Sequence, residues 1–120
     1  MWKSLVLLFC VLGAHGAQAA GDPVEGRKAF AKCASCHQIA VPRSSFGPHL
    51  HGLIGRPAGT LADFRYSEAM RNSRMVWTEE ALRAFLKAPD KTVPGTSMRF
   101  WGIASDREID DLLAYLRSVR

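Results

Sequence analysis

The sequence predicts an all-α fold in which three main helices are joined by short helical turns and long loops. Apolar residues recur at helical spacing near both ends of the chain and again around Leu82. No segment alternates apolar and polar residues as a half-buried strand does. Residues 38–62 and 89–104 contain repeated prolines and glycines, which interrupt helices, so we expect both stretches to be irregular.

The first main helix is predicted over residues 23–33. Asp22 can cap its start, and Pro23 suits its first position because that position needs no backbone N–H. Gly26 and Phe30 lie four residues apart and therefore share one face of this helix.

A short helical turn is predicted over residues 67–72, and the second main helix begins near Thr78. Two glutamates follow that threonine, where the positive end of the helix dipole favours acidic side chains. Ala88 is the predicted end of the helix, because Pro89 follows and the residue before a proline is disfavoured in helical conformation.

The last main helix begins after Ser105, which forms a capping-box pattern with Glu108. Ile109, Leu112 and Leu116 then follow at helical spacing, so one face of this helix is apolar. Loops as long as those between the helices are unusual in a small domain. A large apolar cofactor at the centre of the domain would account for them.

The composition is that of a small globular domain. The chain has 120 residues, of which 48% are hydrophobic and 22% charged. These values argue against a disordered chain, a coiled coil and a collagen-like fibre, and no apolar stretch reaches the roughly 20 residues of a membrane-spanning helix. Lys and Arg number 16 against 11 Asp and Glu. No basic run or interleaved aromatic stripe indicates nucleic-acid binding.

Residues 1–19 are predicted to be a secretory signal peptide, which leaves residues 20–120 as the folded domain. A short start containing Lys3 precedes an apolar run over residues 5–12, and residues 17–19 supply an Ala-x-Ala cleavage site. A buried or anchoring N-terminal helix is the alternative. Export predicts a periplasmic location. Cleavage would also remove one positive charge and lower the net charge from +5 to +4.

The segment Cys33-Ala34-Ser35-Cys36-His37 is the C-x-x-C-H motif of c-type haem attachment. Two thiols three positions apart on a turn can reach the two vinyl groups of one haem, and the adjacent imidazole can then bind the iron. The motif predicts one haem c attached through Cys33 and Cys36, with His37 as an iron ligand.

Three other interpretations of this motif compete with haem attachment. Cys33 and Cys36 could form a structural disulfide. They could form a thioredoxin-like redox pair, although no βαβ pattern surrounds them. They could also bind zinc together with two of His37, His49 and His51, although that spacing matches no common zinc framework.

The chemistry of the residues alone does not decide which residue is the second axial ligand of the iron. Met98 lies in a turn-rich loop where core packing explains a methionine poorly. Met70 and Met75 lie near the predicted helical turn, where core packing explains them well. His49 and His51 lie in a segment rich in glycine and proline, where surface exposure or hydrogen bonding is expected.

Residues 21–120 resemble the class I cytochromes c, the small group that includes mitochondrial cytochrome c and its bacterial relatives. The resemblance rests on an ordered series of residues. The series is Gly26, Phe30, the motif over 33–37, the run from Gly47 to Arg56, Phe64 to Ser67, Trp77, Pro94 to Met98, Leu112 and Tyr115.

The resemblance implies the cytochrome c fold, with three main helices, short helical turns and long loops wrapped around one covalently bound haem. It implies that His37 and Met98 bind the iron, and that the carbonyl of Pro48 accepts a hydrogen bond from His37. It also implies further haem contacts, in which Arg56, Tyr66 and Trp77 bind the propionates, Thr96 lines the haem and Phe100 lies at its exposed edge.

Three residues depart from the common pattern of this family. Phe85 and Met70 stand where many relatives have polar residues near the Met ligand, so we expect a drier haem pocket on that side. Ser97 stands where a lysine is common, which removes a docking charge and an alternative ligand.

These features predict a soluble single-electron carrier rather than an enzyme. Axial ligation by His and Met raises the haem potential and leaves no free iron position for a substrate. The alternatives are a haem subunit of a larger redox enzyme, and a haem peroxidase or gas sensor if the Met ligand is labile.

The expected partners are redox proteins with acidic docking surfaces, namely a bc-type complex, a terminal oxidase, a photosynthetic reaction centre or a dehydrogenase. Basic residues in segments expected near the haem edge would steer such partners. They are Lys32, Arg43, Lys87, Lys91 and Arg99. The protein is expected to be a monomer that inserts into no membrane and binds no nucleic acid.

Overall fold

A computed structural model describes residues 20–119 of the chain. The predicted signal peptide lies outside the described residues. Every regular element within residues 20–119 is helical, apart from one isolated bridge between Pro57 and Val76. The all-α prediction is confirmed. None of the helices in this part of the chain is long and apolar enough to cross a membrane.

Helix α1 spans Pro23–Ala29 and continues into a 3₁₀ turn over Phe30–Lys32. The carboxylate of Asp22 accepts a hydrogen bond of 2.8 Å from the backbone N–H of Val24, which caps the start. The helical segment therefore covers the predicted range almost to its end, with a tighter last turn that leads into Cys33.

Helix α2 spans Glu68–Arg71 and helix α3 spans Glu79–Lys87. Each begins after a hydroxyl cap, because Ser67 and Thr78 accept hydrogen bonds from backbone N–H groups three residues later. The predicted turn over 67–72 and the second main helix are both confirmed.

Helix α4 spans Pro89–Thr92, within a stretch that the sequence analysis expected to be irregular. That expectation was wrong for these four residues. Pro89 ends α3, because the preceding residue cannot continue a helix, but its fixed backbone angle also suits the first position of a new one. A proline between two helices therefore serves as the end of one and the start of the next.

Helix α5 spans Asp106–Ser118 and packs across α1. Gly26 makes the close approach possible, since a Cβ atom there would lie 1.9 Å from the backbone oxygen of Asp111. The rings of Phe30 and Tyr115 contact each other with their centroids 5.5 Å apart. Ile109, on the inner face of α5, is fully buried. The crossing thus forms one side of the hydrophobic core.

Two long loops, residues 38–66 and 93–103, lie on the other side; we call them the cavity loops. Backbone hydrogen bonds attach the first loop to the segment between α2 and α3, and the second loop to α3 itself. The N–H of Trp77 donates to Arg56 at 2.9 Å, the N–H of Ala58 donates to Met75 at 2.8 Å, and the N–H of Ile103 donates to Leu86 at 2.8 Å. The loops are therefore held in place by backbone hydrogen bonds although they contain no helix of their own.

Candidate functional site

A cavity of about 320 Å³ lies between the cavity loops, the 3₁₀ turn after α1 and the inner faces of α2, α3 and α5. Its walls are mainly apolar side chains. Every residue that the sequence analysis assigned to the site lines this cavity. They are Cys33, Cys36, His37, Pro48, Arg56, Tyr66, Trp77, Thr96, Met98 and Phe100. The structure thus brings together residues that lie up to 67 positions apart, as the numbers of Cys33 and Phe100 show.

The turn after α1 carries the two thiols and the imidazole. The N–H groups of Cys36 and His37 donate to the carbonyl of Cys33 at 3.1 and 2.9 Å, which closes the turn. Neither cysteine is in a disulfide. Burial raises the pKa of the Cys33 thiol. Both thiols are therefore free, and both line the cavity.

His37 is buried, with 9% of its surface exposed. Its Nδ1 donates a hydrogen bond of 2.7 Å to the carbonyl of Pro48, and this fixes the tautomer that leaves a lone pair on Nε2. Burial lowers the pKa of the ring, so the neutral form is favoured. Gly47 packs against the ring, because a Cβ atom there would lie 2.7 Å from Cε1. The imidazole is held as a neutral nitrogen donor.

Met98 lies half-buried in the second cavity loop. Its N–H donates to the hydroxyl of Thr96 at 3.3 Å, and the N–H of Thr96 donates to Val93 at 3.0 Å. Met70 is buried and also lines the cavity, so two thioethers border it. Met75 is not among the residues that line the cavity.

His49 and His51 are not among the residues that line the cavity either. His49 is buried, with 7% of its surface exposed, so the expectation of a surface position was wrong for it. The expectation of hydrogen bonding was correct, since Nδ1 of His51 lies 3.1 Å from the carbonyl of Ile39 and the carbonyl of His49 accepts from Arg56. Both histidines have structural contacts outside the cavity.

Polar side chains border another part of the cavity. The guanidinium of Arg56 donates to the carbonyl of His49 at 2.8 Å and to that of His51 at 3.4 Å. Burial lowers the pKa of Arg56, and no carboxylate of residues 20–119 forms an ion pair with it. A half-buried cation without an acidic partner in this part of the chain suits a bound anion.

Tyr66 and Trp77 both lie near Arg56, since the charge of Arg56 acts on the Tyr66 hydroxyl and the backbone N–H of Trp77 donates to the Arg56 carbonyl. Burial raises the pKa of Tyr66, whose hydroxyl accepts a long hydrogen bond of 3.4 Å from the N–H of Leu61. The ring of Trp77 packs against Phe85 with centroids 5.1 Å apart. The indole N–H of Trp77 donates to no group within residues 20–119, which leaves it available to a ligand.

The sequence analysis missed several residues that line the cavity. Helical spacing could have identified the apolar ones on α3 and α5, namely Leu82, Leu86, Leu112 and Leu116, whereas Phe85 was expected at the haem pocket and does line the cavity. Phe46 and Phe64 lie in a cavity loop, where no periodic pattern marks an inward side chain. For these two residues the sequence offers no local signal.

The side chains around the cavity distinguish between the four interpretations of the C-x-x-C-H motif. Within residues 20–119 no group of three or more His, Cys, Asp or Glu side chains could hold a metal ion, so the zinc site is not assembled. The described residues also form no βαβ unit. Two free thiols, a neutral imidazole nitrogen, a thioether and apolar walls with one cation together fit a haem with its propionates.

Known proteins share both the sequence and the fold of this chain. The family model described as Cytochrome c matches residues 23–120. The chain is 37% identical to cytochrome c2 of Blastochloris viridis over 118 residues, which cover 98% of this chain and 93% of the relative. It is 43% identical to cytochrome c2 of Rhodoblastus acidophilus over 98 residues, which cover 81% and 92%. The solved structure of cytochrome cH from Methylobacterium extorquens matches with a TM-score of 0.77 at 40% identity, covering 82% of this chain and 99% of that one.

Proposed function

Since the chain belongs to the cytochrome c family, we propose that it is a soluble, periplasmic carrier of single electrons. The predicted cytochrome c fold is confirmed, and the haem c of this family is covalently bound, here through Cys33 and Cys36. When bound, the haem supplies one-electron chemistry through its iron. The observation that carries the proposal is that His37 and Met98 line the same cavity as the two thiols.

His37 and Met98 are the axial ligands in this proposal. The hydrogen bond to Pro48 keeps the Nε2 lone pair of His37 unprotonated and orients the ring. Met98 is favoured over His49 and His51 because neither histidine lines the cavity. It is favoured over Met70 because Met70 is buried in the core, whereas Met98 lies half-buried in a loop and packs only against the edge of the core. With both positions filled, no site remains for a substrate, which favours a carrier over an enzyme.

Arg56, Tyr66 and Trp77 hold the propionates in this proposal. Their support is the half-buried guanidinium, which needs an anion, and the indole N–H, which donates to no group of residues 20–119. Thr96 and Phe100 complete the wall beside Met98. Together these side chains keep water away from the haem except at its edge, so little rearrangement accompanies a change of charge.

The partners in this proposal are redox proteins with acidic docking surfaces, such as a bc-type complex, a terminal oxidase, a reaction centre or a dehydrogenase. The excess of basic residues favours such partners, because opposite charges speed the encounter. The periplasmic location follows from the predicted signal peptide, and bacterial cytochromes c2 are among the relatives. We propose that the carrier acts as a monomer.

The absorption spectrum of the mature protein, produced with c-haem assembly machinery, tests this function. We expect a sharp low-spin reduced spectrum and the weak far-red ferric band of sulfur–iron ligation. A high-spin ferric spectrum would instead indicate an open iron and favour a peroxidase or a gas sensor. A low-spin spectrum without the far-red band would indicate a histidine as second ligand. Copurification in a stable larger complex would indicate a haem subunit.

A further inference from the structure

Two large aromatic side chains are exposed beside the cavity. Trp101 is 98% exposed and Phe46 is 88% exposed. Phe46 lines the cavity itself, and Trp101 directly follows Phe100, which lines it too. Tryptophan is a large, mostly apolar residue that is rarely left in water. Neither ring is used by the core, so their exposure at the cavity needs another explanation.

The backbone on the far side of Trp101 is fixed. Gly102 has a φ of 102°, and a Cβ atom there would lie 2.3 Å from the carbonyl oxygen of Lys87. The N–H of Ile103 donates to Leu86 at 2.8 Å, and the Ile103 side chain is buried in the core. Trp101 is therefore presented outward by a chain that is clamped onto the end of α3. A backbone that is already fixed loses little conformational entropy when its side chain contacts a partner.

Two of the basic residues predicted to steer partners are paired with carboxylates. Lys32 forms an ion pair with Glu108, and Lys87 forms one with Asp106 at 2.6 Å. These two cations are thus largely compensated by neighbouring carboxylates. Arg99 lines the cavity, is exposed, and forms no ion pair with residues 20–119. Within residues 20–119, Arg99 is thus the exposed cation at the cavity that lacks an ion pair, and it lies two residues from Trp101.

We propose that Trp101, supported by Phe46 and Arg99, is the main docking contact for an electron-transfer partner. The partner it fits is a redox protein with an apolar spot bordered by carboxylates, in which the apolar spot receives the indole and a carboxylate pairs with Arg99. This proposal rests on the proposed function as an electron carrier. A second copy of this chain is a poorer fit, because two surfaces that each carry Arg99 and a net positive charge repel each other.

The size of electron-transfer interfaces makes a single aromatic residue important. Such transient interfaces are small, so few residues share the binding energy. Tryptophan and arginine are enriched among the residues that contribute most. Because Trp101 is almost fully exposed, its removal leaves the core of the domain intact. Substitution of Trp101 therefore tests docking without a change in the stability of the core.

The test compares Trp101→Ala, Trp101→Phe, Lys87→Gln and Val24→Ala as haem-loaded proteins. Val24 is an exposed apolar residue on α1 that does not line the cavity, so its variant is the matched control. The probes are a purified bc-type complex, a terminal oxidase and hexacyanoferrate. For each protein we measure the ratio of its second-order rate with each complex to its rate with hexacyanoferrate. Affinity for the immobilised oxidase is measured separately by surface plasmon resonance.

We expect Trp101→Ala to lower the rate ratio about tenfold with at least one of the two complexes. If the oxidase is the complex affected, the variant should also bind the immobilised oxidase more weakly. Trp101→Phe should retain most of both, Lys87→Gln should lower the ratio less than Trp101→Ala, and Val24→Ala should match wild type. The proposal is overturned if Trp101→Ala matches wild type with both complexes, or if Lys87→Gln has the larger effect. It is also overturned if sedimentation shows a wild-type dimer that Trp101→Ala dissociates.

Different results would contradict the proposed function and the proposed docking contact. A wild type that exchanges electrons with hexacyanoferrate but with neither complex overturns the docking surface alone. A wild type that exchanges electrons with none of the three overturns the proposed function, and the docking surface with it.

Discussion

The crossing of α1 and α5 and the cavity loops are stabilised in different ways. At the crossing, side chains of the chain itself fill the space, as the contact of Phe30 with Tyr115 and the complete burial of Ile109 show. The cavity loops instead enclose a space that the chain leaves open, and they contain no helix of their own. The crossing is complete without a ligand, whereas the loops need the haem to complete their packing.

This difference explains how a chain with so little regular structure can fold. A small domain buries a limited share of its surface, so its own core provides only a modest stabilisation. A covalently bound group that fills the cavity adds apolar contacts to both sides of the molecule. Stability and function then depend on the same group, and the predictions below separate the two regions.

Removal of the attachment sites should have the largest effect. In Cys33→Ala combined with Cys36→Ala, covalent haem is lost and we expect most of the fold to be lost with it, the cavity loops first. Far-ultraviolet circular dichroism and pulsed hydrogen exchange measure this, with residual protection expected only in α1 and α5. A colourless double variant with protected cavity loops would show that the loops do not depend on the haem.

The crossing should be disrupted by Gly26→Val with the haem still attached. A Cβ atom at this position meets the backbone oxygen of Asp111 at 1.9 Å, and neither helix can move without disturbing the core. We expect a loss of about 3 kcal/mol in the free energy of unfolding, measured with guanidinium chloride. Gly52→Ala is the control, because it has a φ of 65° but no neighbour within 4 Å. It should cost only about 1 kcal/mol.

The two regions also differ in how far the sequence predicts them. The main helices follow from local signals, since the caps at Asp22, Thr78 and Ser105 all lie where the sequence places them. The cavity loops have no such pattern. Their inward residues were predicted through the family resemblance, and Phe46 and Phe64 were missed because a loop that packs on a ligand follows no periodicity.

The features that the sequence did not predict depend on structure that no local pattern reveals. Helix α4 was missed because Pro89 acts both as the end of one helix and as the start of another. The burial of His49 was missed because it depends on how its loop folds back on itself, which brings the guanidinium of Arg56 onto the carbonyl of His49. The pairing of Lys32 with Glu108 joins residues 76 positions apart, which no local pattern reveals.

Loss of the proposed sulfur ligand should affect the cavity loops and spare the crossing. In Met98→Ala we expect the haem to stay attached, while the ferric iron becomes able to bind cyanide or imidazole. The free energy of unfolding should fall by about 2 kcal/mol, because the second cavity loop loses its tie to the iron. Spectral titration measures ligand binding. Retention of the wild-type ferric spectrum and continued rejection of cyanide would exclude Met98 as the ligand, and Met70→Ala should then show the loss instead.

The smallest expected effect concerns backbone strain between α2 and α3. Arg74 has a φ of 56°, in the left-handed region, and within residues 20–119 every other residue with a positive φ is a glycine. Its side chain is exposed, so its substitution removes no buried contact. Asparagine adopts the left-handed conformation more readily than arginine does. Arg74→Asn should therefore raise the free energy of unfolding by about 0.5 kcal/mol, with the haem spectrum unchanged. Arg71→Asn, on the neighbouring helical turn, is the matched control and should give no gain. A gain in both variants would mean that loss of positive charge, rather than relief of strain, stabilises this region.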